Sequence, residues 1–373
     1  TVTAVTNRQI DQVIPTIVKR DAVSAHTFEV QRILRGLGFA SEIYAQNISG
    51  EVASRVRPIA ELDGDPDRWL LYQASIGAPV AEVFAAHRAP KLLNYHNITP
   101  VELIGWWEPH LAGELVLGRR QLRELAPLTT LAIAVSEYNQ SELIEAGFAD
   151  TAVAPLLTDL STIAEPDPAT VAKLKSDRSG GGASWLFVGQ LAPHKAQHDI
   201  VKALAFYRQV YDPAARLYLI GRETSPGYVQ AIRHLIAELG LSEAVHLVGA
   251  VSDGGLAAHY DAADVLVCCS EHEGFCAPLI EAMYHRVPIV AYGAAAVPET
   301  VSGTGVVLPA KPPSLVAAAV HRVLTDAALR ADLVDRASAR AHHFDVDRSR
   351  KAFADAVMSV VGVRGAARSG DAA

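Results

Sequence analysis

Between residues 264 and 283 the chain reads DVLVCCSEHEGFCAPLIEAM, and two carboxylates, Glu273 and Glu281, stand eight positions apart in it. The apolar run at 265–267 reads as a strand, the residues from 279 onward as a helix, and those between as the connecting loop. Pro278 suits the first helical turn, where its missing N–H costs nothing and its φ is already helical. Gly274 lets the backbone turn tightly and approach a ligand. The N–H groups around residues 276–279 then make an anion site at the positive end of the helix dipole. Glu281, about one turn inside the helix, can accept both hydroxyls of a vicinal diol. Glu273, at the mouth of the loop, would be repelled by phosphate, which assigns it to sugar hydroxyls. An ordinary strand–helix connection with two surface glutamates is the plainer alternative. The spacing, with the glycine and proline between, favours the ligand site.

With these residues in hand, the segment from Glu273 to Ala282 resembles the Glu-x7-Glu signature of the retaining glycosyltransferases of family four, which have the GT-B fold. That pattern runs Glu-Gly-Phe-Gly-x-Pro-x-x-Glu-Ala, and Cys276 stands at its second glycine. The resemblance continues through VPIVA at 287–291 and VPET at 297–300 and covers nearly the whole second half. The first half matches more loosely, at SIG (75–77) and YHNITP (95–100).

The resemblance implies retaining, metal-independent transfer of a sugar from a nucleotide-sugar donor to a hydroxyl acceptor. The acceptor hydroxyl attacks from the front face and the departing phosphate takes its proton. No cofactor is implied. Gly274, Phe275, Cys276 and Ala277 would line the donor, Glu281 would hold its ribose, and Glu273 would orient the sugar. In similar proteins the loop after the first strand of the second domain carries an arginine and, five residues on, a lysine, both on the diphosphate. Lys195 matches, Gln190 replaces the arginine, and Arg222 after the next strand is a substitute. A neutral donor such as glutamine is weaker than a guanidinium fork. The loop at 249–252, with Val251, would line the base, or else Ser252 simply caps a helix. His96, at the carboxyl end of a first-domain strand, corresponds to a histidine near the donor sugar, with Asn97 as its partner. A lone histidine is more often structural. The family's N-terminal glycine-rich loop is replaced by KRDAVSAH at 19–26. There Ser24 reads as a helix cap, and the N–H groups at 23–26 would face phosphate or acceptor. Lys19 and Arg20 would add positive charge there, or are simply solvated.

Elements that could hold these loops alternate along the whole chain, which argues for parallel sheets covered by helices. Strands are expected around Val5, Ile43, Leu71, Leu93, Ile133 and Val153, then around Phe187, Leu219, Leu247, Leu266, Ile289 and Val307. Residues 159–184, with two prolines and a triple glycine, read as a linker. The expected architecture is two doubly wound Rossmann-like domains facing across a cleft. An acceptor domain would span 1–160 and a donor domain 184–343. A helix at 344–361 would cross back to the first domain, and a disordered tail would follow at 362–373. Ligands in such sheets sit outside the carboxyl ends of the strands.

The 373 residues carry 33 lysines and arginines against 41 aspartates and glutamates, a formal charge of −8, which argues against a general nucleic-acid binder. No apolar run approaches a membrane span. The N-terminal residues do not read as a secretory signal. Three cysteines at 268, 269 and 276 make neither a zinc-type pair of pairs nor a disulfide scaffold. These features predict a reduced, cytoplasmic protein with no resident metal. Trp106, Trp107 and the basic run at 119–123 suit either a core helix with a solvated face or a peripheral contact with the inner face of the membrane and a lipid acceptor. The acceptor class is otherwise a carbohydrate or small molecule, and a UDP-sugar is favoured as the commonest donor. The competing readings are an epimerase or phosphorylase on the same fold and a non-catalytic two-domain sugar-binding protein. A dinucleotide oxidoreductase would need Gly-x-Gly-x-x-Gly after a first strand, and neither half offers it.

Overall fold

The computed structural model describes residues 9–19, 21–157, 160 and 163–367, with side chains through residue 361. They form two compact α/β units. The first contains the described residues of Thr1–Val101, His110–Thr158 and Val346–Ala373. The second contains Glu102–Pro109 and those of Asp159–Asp345.

The first unit runs β1 (Ile10–Ile17), α1 (Ala22–Gly36), β2 (Ile43–Ile48), β3 (Arg57–Pro58), β4 (Trp69–Ala74), α2 (Val80–Ala86), β5 (Lys91–Tyr95), α3 (Pro109–Leu125), β6 (Leu131–Ala134), α4 (Glu137–Glu145) and β7 (Thr151–Val153). Its parallel sheet has the order β3-β2-β1-β4-β5-β6-β7. β4, β5 and β6 are buried along their whole length, as expected for parallel strands covered on both faces. Gly77, in the loop after β4, lies so close to α3 that a Cβ there would sit 2.3 Å from the Glu114 carbonyl oxygen and the Gly118 nitrogen. The strand expected around Val5 lies outside the described residues.

The second unit holds α5 (Pro168–Asp177), β8 (Ser184–Val188), α6 (Gln197–Val210), β9 (Arg216–Ile220), α7 (Pro226–Glu238), β10 (Val245–Gly249), α8 (Asp253–Ala262), β11 (Val265–Cys268), α9 (Ala277–Tyr284), β12 (Ile289–Tyr292), α10 (Val297–Val301), β13 (Val306–Leu308), α11 (Pro313–Thr325) and α12 (Ala327–Ala341). Its sheet has the order β10-β9-β8-β11-β12-β13, again parallel. The last helix, α13 (Val346–Ala367), belongs to the first unit. Its Phe353 and Val357 are buried in one core with Ile10, Val30, Leu34 and Leu71.

Two expectations need correction. The stretch read as a linker contains α5, capped by Asp167, whose carboxylate accepts from the Thr170 N–H at 2.8 Å. Leu174 on that helix is buried, and Arg178 just after it pairs with Asp264 at 2.9 Å. Proline at the first helical position starts this helix rather than breaking it. The residues around Trp107 are not part of a helix and do not cluster with the first unit. Trp107 packs edge-on against Tyr228 at 5.4 Å, and the Ser225 hydroxyl donates to Glu108. Trp106 is 91% exposed, so it is not a core residue. Arg119 is engaged by Glu142 at 2.8 Å and Arg120 by Glu124 at 3.4 Å. Among the described residues no helix is long and apolar enough to cross a membrane.

Candidate functional site

In the second unit the strand order reverses between β8 and β11, which are neighbours although not consecutive. At such a switch point the loops leaving adjacent strands diverge and leave room for a ligand. Lys195 follows β8 and Glu273 follows β11. Their side chains meet, with Lys195 Nζ 2.7 Å from Glu273 Oε2 and both largely buried. Burial works to lower the Lys195 pKa, but the Glu273 carboxylate beside it wins, and the net shift is upward. The lysine is therefore held charged. The β11 loop is tied to its surroundings by backbone groups. Glu271 N–H donates to the His194 carbonyl at 2.8 Å, and Thr300 Oγ1 donates to the Phe275 carbonyl at 2.7 Å. Thr300 thus gives the VPET stretch a local role. Lys311, which sequence reasoning missed, bridges Asp199 and Glu271 at 2.8 Å each.

Cys276 is the N-cap position of α9 and has φ 64° and ψ 65°. This left-handed conformation suits the glycine of the family pattern and is uncommon for any residue with a Cβ. Its own side chain makes no capping hydrogen bond, and Pro278 sits in the first turn. Gly274 and Ala277 flank it half-buried, and Phe275 is buried.

One turn inside α9, Glu281 is not an open bidentate acceptor. Its Oε2 already accepts from the Tyr260 hydroxyl at 2.7 Å. Burial pushes the Glu281 carboxyl up, against the opposing pulls of Tyr260 and His285. Tyr260 comes from α8 and stacks on His285 at 5.0 Å; nothing local in the sequence marks it.

Gln190 is exposed, and its carbonyl accepts from Gln197 Nε2 at 2.8 Å. Arg222, also exposed, lies on the neighbouring strand's loop. Its carbonyl accepts from the Leu191 N–H at 2.9 Å, so the two chains run side by side where the family arginine is missing. That close approach needs Gly221, where a Cβ would be 1.9 Å from the Gly189 oxygen. Val251 is half-buried against the core, and Ser252 caps α8 by accepting from the Gly255 N–H at 3.1 Å.

In the first unit, His96 follows β5. Its Nε2 lies 2.6 Å from Gln73 Oε1. Gln73 in turn donates to Gln12 Oε1 at 2.7 Å, and Gln12 donates to the Thr27 carbonyl at 3.0 Å. This chain fixes the Gln73 oxygen toward His96, so Nε2 carries the hydrogen and Nδ1 is left as the acceptor. Burial, then His26 beside it, holds the His96 pKa well below the usual value, so the ring is neutral. His26 Nε2 accepts from Asn94 Nδ2 at 2.8 Å, and burial lowers its pKa to about 3.

A buried neutral histidine stabilises the fold fully above its unfolded pKa of about 6.5 and loses that contribution below it. For His26 the loss is about 1.4 kcal/mol per pH unit as pH falls from 6.5 toward 3. Urea unfolding monitored at pH 7.5 and 5.5 should show the lower midpoint at pH 5.5, and His26→Gln should flatten the difference. An identical pH dependence in wild type and variant would contradict the assignment.

One first-unit expectation changes. Ser24 is not the cap of α1. Asp21 is, accepting from the Ser24 N–H and Oγ at 2.9 Å each, and Ser24 Oγ also accepts from the Val18 N–H at 3.1 Å. An aspartate already occupying this helix start opposes phosphate there, and Ser24 is buried. Asn97 sits at φ 78° and its Oδ1 accepts from Asn139 Nδ2 at 2.9 Å, an engagement within the unit's own scaffold.

Residues 173–340 match the family model described as glycosyl transferases group 1. The chain is 28% identical over 281 residues to a D-inositol 3-phosphate glycosyltransferase of Kineococcus radiotolerans, covering 70% of this chain and 64% of that protein. It is 29% identical over 260 residues to a GDP-mannose-dependent alpha-(1-6)-phosphatidylinositol monomannoside mannosyltransferase of Mycobacterium tuberculosis, covering 67% and 63%. The matches thus span somewhat under two thirds of these relatives' own lengths. Its structure is similar to that of Anabaena Alr3699/HepE in complex with UDP-glucose, with TM-score 0.73 at 19% identity over 94% of this chain and all of that one. A likeness at that identity establishes the GT-B fold. The Glu-x7-Glu segment lies inside the region, residues 173–340, that is similar to the group 1 glycosyl transferases.

Proposed function

We propose that the protein is a retaining glycosyltransferase that moves a sugar from a nucleotide-sugar donor to a hydroxyl of a carbohydrate or lipid acceptor. The observation that carries this reading is the Lys195–Glu273 pair at the switch point of the second sheet, beside the start of α9. As the nucleoside diphosphate leaves, negative charge develops on its phosphate oxygens. Lys195, Arg222 and the first N–H groups of α9 meet that charge where it builds, and Gln190 adds a neutral donor. Glu273 turns its remaining oxygen toward sugar hydroxyls, and Glu281 holds one ribose hydroxyl while Tyr260 holds the carboxylate in place. The acceptor hydroxyl attacks from the face the diphosphate leaves, and the diphosphate takes the proton. The reading needs no metal on the diphosphate, because fixed cations and N–H groups supply the positive charge.

A UDP-sugar donor is supported by the similar fold solved with UDP-glucose. The mycobacterial relative is named for GDP-mannose, so the base is decided by experiment. Thermal-shift screening with UDP, GDP and ADP, followed by turnover with the matching labelled nucleotide sugars, tests the reading. Release of nucleoside diphosphate, with the donor's anomeric configuration kept in the product, is the expected result. Tight binding with no release against any acceptor would turn the reading toward a sugar-binding module.

Affinity for the nucleoside diphosphate should fall as pH drops through a point above 4.5, the ordinary glutamate value, because a protonated Glu281 no longer accepts from ribose. Glu281→Gln should bind more weakly at neutral pH and show no such step. Calorimetric titration across pH 4.5 to 7.5 reads this directly, and a step unchanged in the variant would rule the assignment out.

A further inference from the structure

We propose that Cys268, Glu273 and Cys276 form a binding site for a soft divalent cation of the zinc type. One Sγ from each cysteine and a carboxylate oxygen of Glu273 all lie within 4.8 Å of one another. Cys268 is the last residue of β11 and Cys276 the cap position before α9, and the loop between them returns the chain so that the two thiols face each other. Both are free and buried. Nothing in the cysteine spacing indicated this, since the grouping depends on the left-handed turn at Cys276. A glycine at that position would carry no donor atom.

The chemistry of the set is specific. Two thiolates select zinc or cadmium over magnesium or calcium, and one carboxylate completes three protein ligands. At bond lengths of about 2.3 Å to sulfur and 2.0–2.2 Å to oxygen, a tetrahedral ion needs donors roughly 3.4–3.8 Å apart. The set meets that with an inward shift of about an ångström. Charge also balances: two thiolates and a carboxylate are offset by a divalent ion together with Lys195, whose Nζ is 2.7 Å from Glu273. The fourth position stays open to water. Occupancy draws Glu273 from Lys195 and so inhibits the transferase. That consequence rests on the proposed function; the binding does not.

The test uses the full chain reduced and kept anaerobic. Titration with Co2+ should give a thiolate-to-cobalt charge-transfer band and tetrahedral visible bands at one equivalent, displaced by Zn2+. Cys268→Ser should weaken binding by roughly a hundredfold or more. In the unaltered chain Zn2+ should protect Cys268 and Cys276 from iodoacetamide, read by peptide mass. If the variant fails to fold, this labelling decides. Absence of the charge-transfer band, a band unchanged in Cys268→Ser, or equal labelling with and without Zn2+ would overturn the proposal. Stoichiometric Zn2+ should also suppress turnover, and a chelator should restore it. Should no turnover be found at all, the cobalt and labelling readouts still decide the site, so its failure and that of the transferase reading stay distinct.

Discussion

Lys195→Ala lowers turnover by about 10²–10³-fold, the usual cost of removing one donor aimed at charge that develops in the transition state. Two causes combine. The leaving diphosphate loses its one fully charged partner in the β8 loop. Glu273, largely buried and 2.7 Å from Lys195 Nζ, is left as a buried charge without its cation, which is costly. Gln190→Ala costs less than about tenfold, because an exposed neutral amide forfeits only an ordinary hydrogen bond. Steady-state kinetics on both variants gives the comparison, with circular dichroism to confirm folding. A larger loss at Gln190 than at Lys195 would show that the departure from arginine has been misread. In that case Arg222 beside it would not be the compensating charge.

Glu273→Ala is expected to reduce turnover to a similar extent while leaving affinity for the free nucleoside diphosphate unchanged, or tighter by up to about fivefold. The direction follows from the ion pair. With the carboxylate gone, Lys195 is released toward phosphate, and about 1 kcal/mol of pairing no longer competes. Glu281→Ala should do the opposite, weakening the bare nucleotide. Calorimetry with nucleoside diphosphate alone separates the two, and an equal loss in both would contradict the division between sugar and ribose. Because Lys195 and Glu273 touch, their effects should not add. The double variant should be little worse than either single one, whereas independent roles would make the free-energy losses sum.

The sequence alone established what depends on short-range physics. Period and turn chemistry are local. Gly274 and Pro278 therefore announced a strand, a tight loop and a helix start, and these are β11, the loop and α9. Runs such as WLLYQA read as strands buried on both faces for the same reason. Caps were legible only in part: the cap was one of two readings open for Ser252, which does cap α8, but at α1 the hydroxyl of Ser24 lost to the nearby carboxylate of Asp21. The proline and glycine content of residues 159–184 suggested a linker, because composition does not report the packing of Leu174 or the pairing of Arg178 with Asp264.

Only the tertiary structure decided which distant loops meet. Lys195 faces Glu273 because β8 and β11 are adjacent in the sheet, an order that no local pattern encodes. Long-range packing likewise put Tyr260 on Glu281 and Gln73 on His96, whereas the left-handed turn at Cys276 brought two thiols beside one carboxylate. The Lys195–Glu273 contact arises from loops leaving parallel strands at a common end. Parallel pairing joins segments separated by a helical crossover, so partners lie far apart in sequence and become neighbours only when the sheet forms.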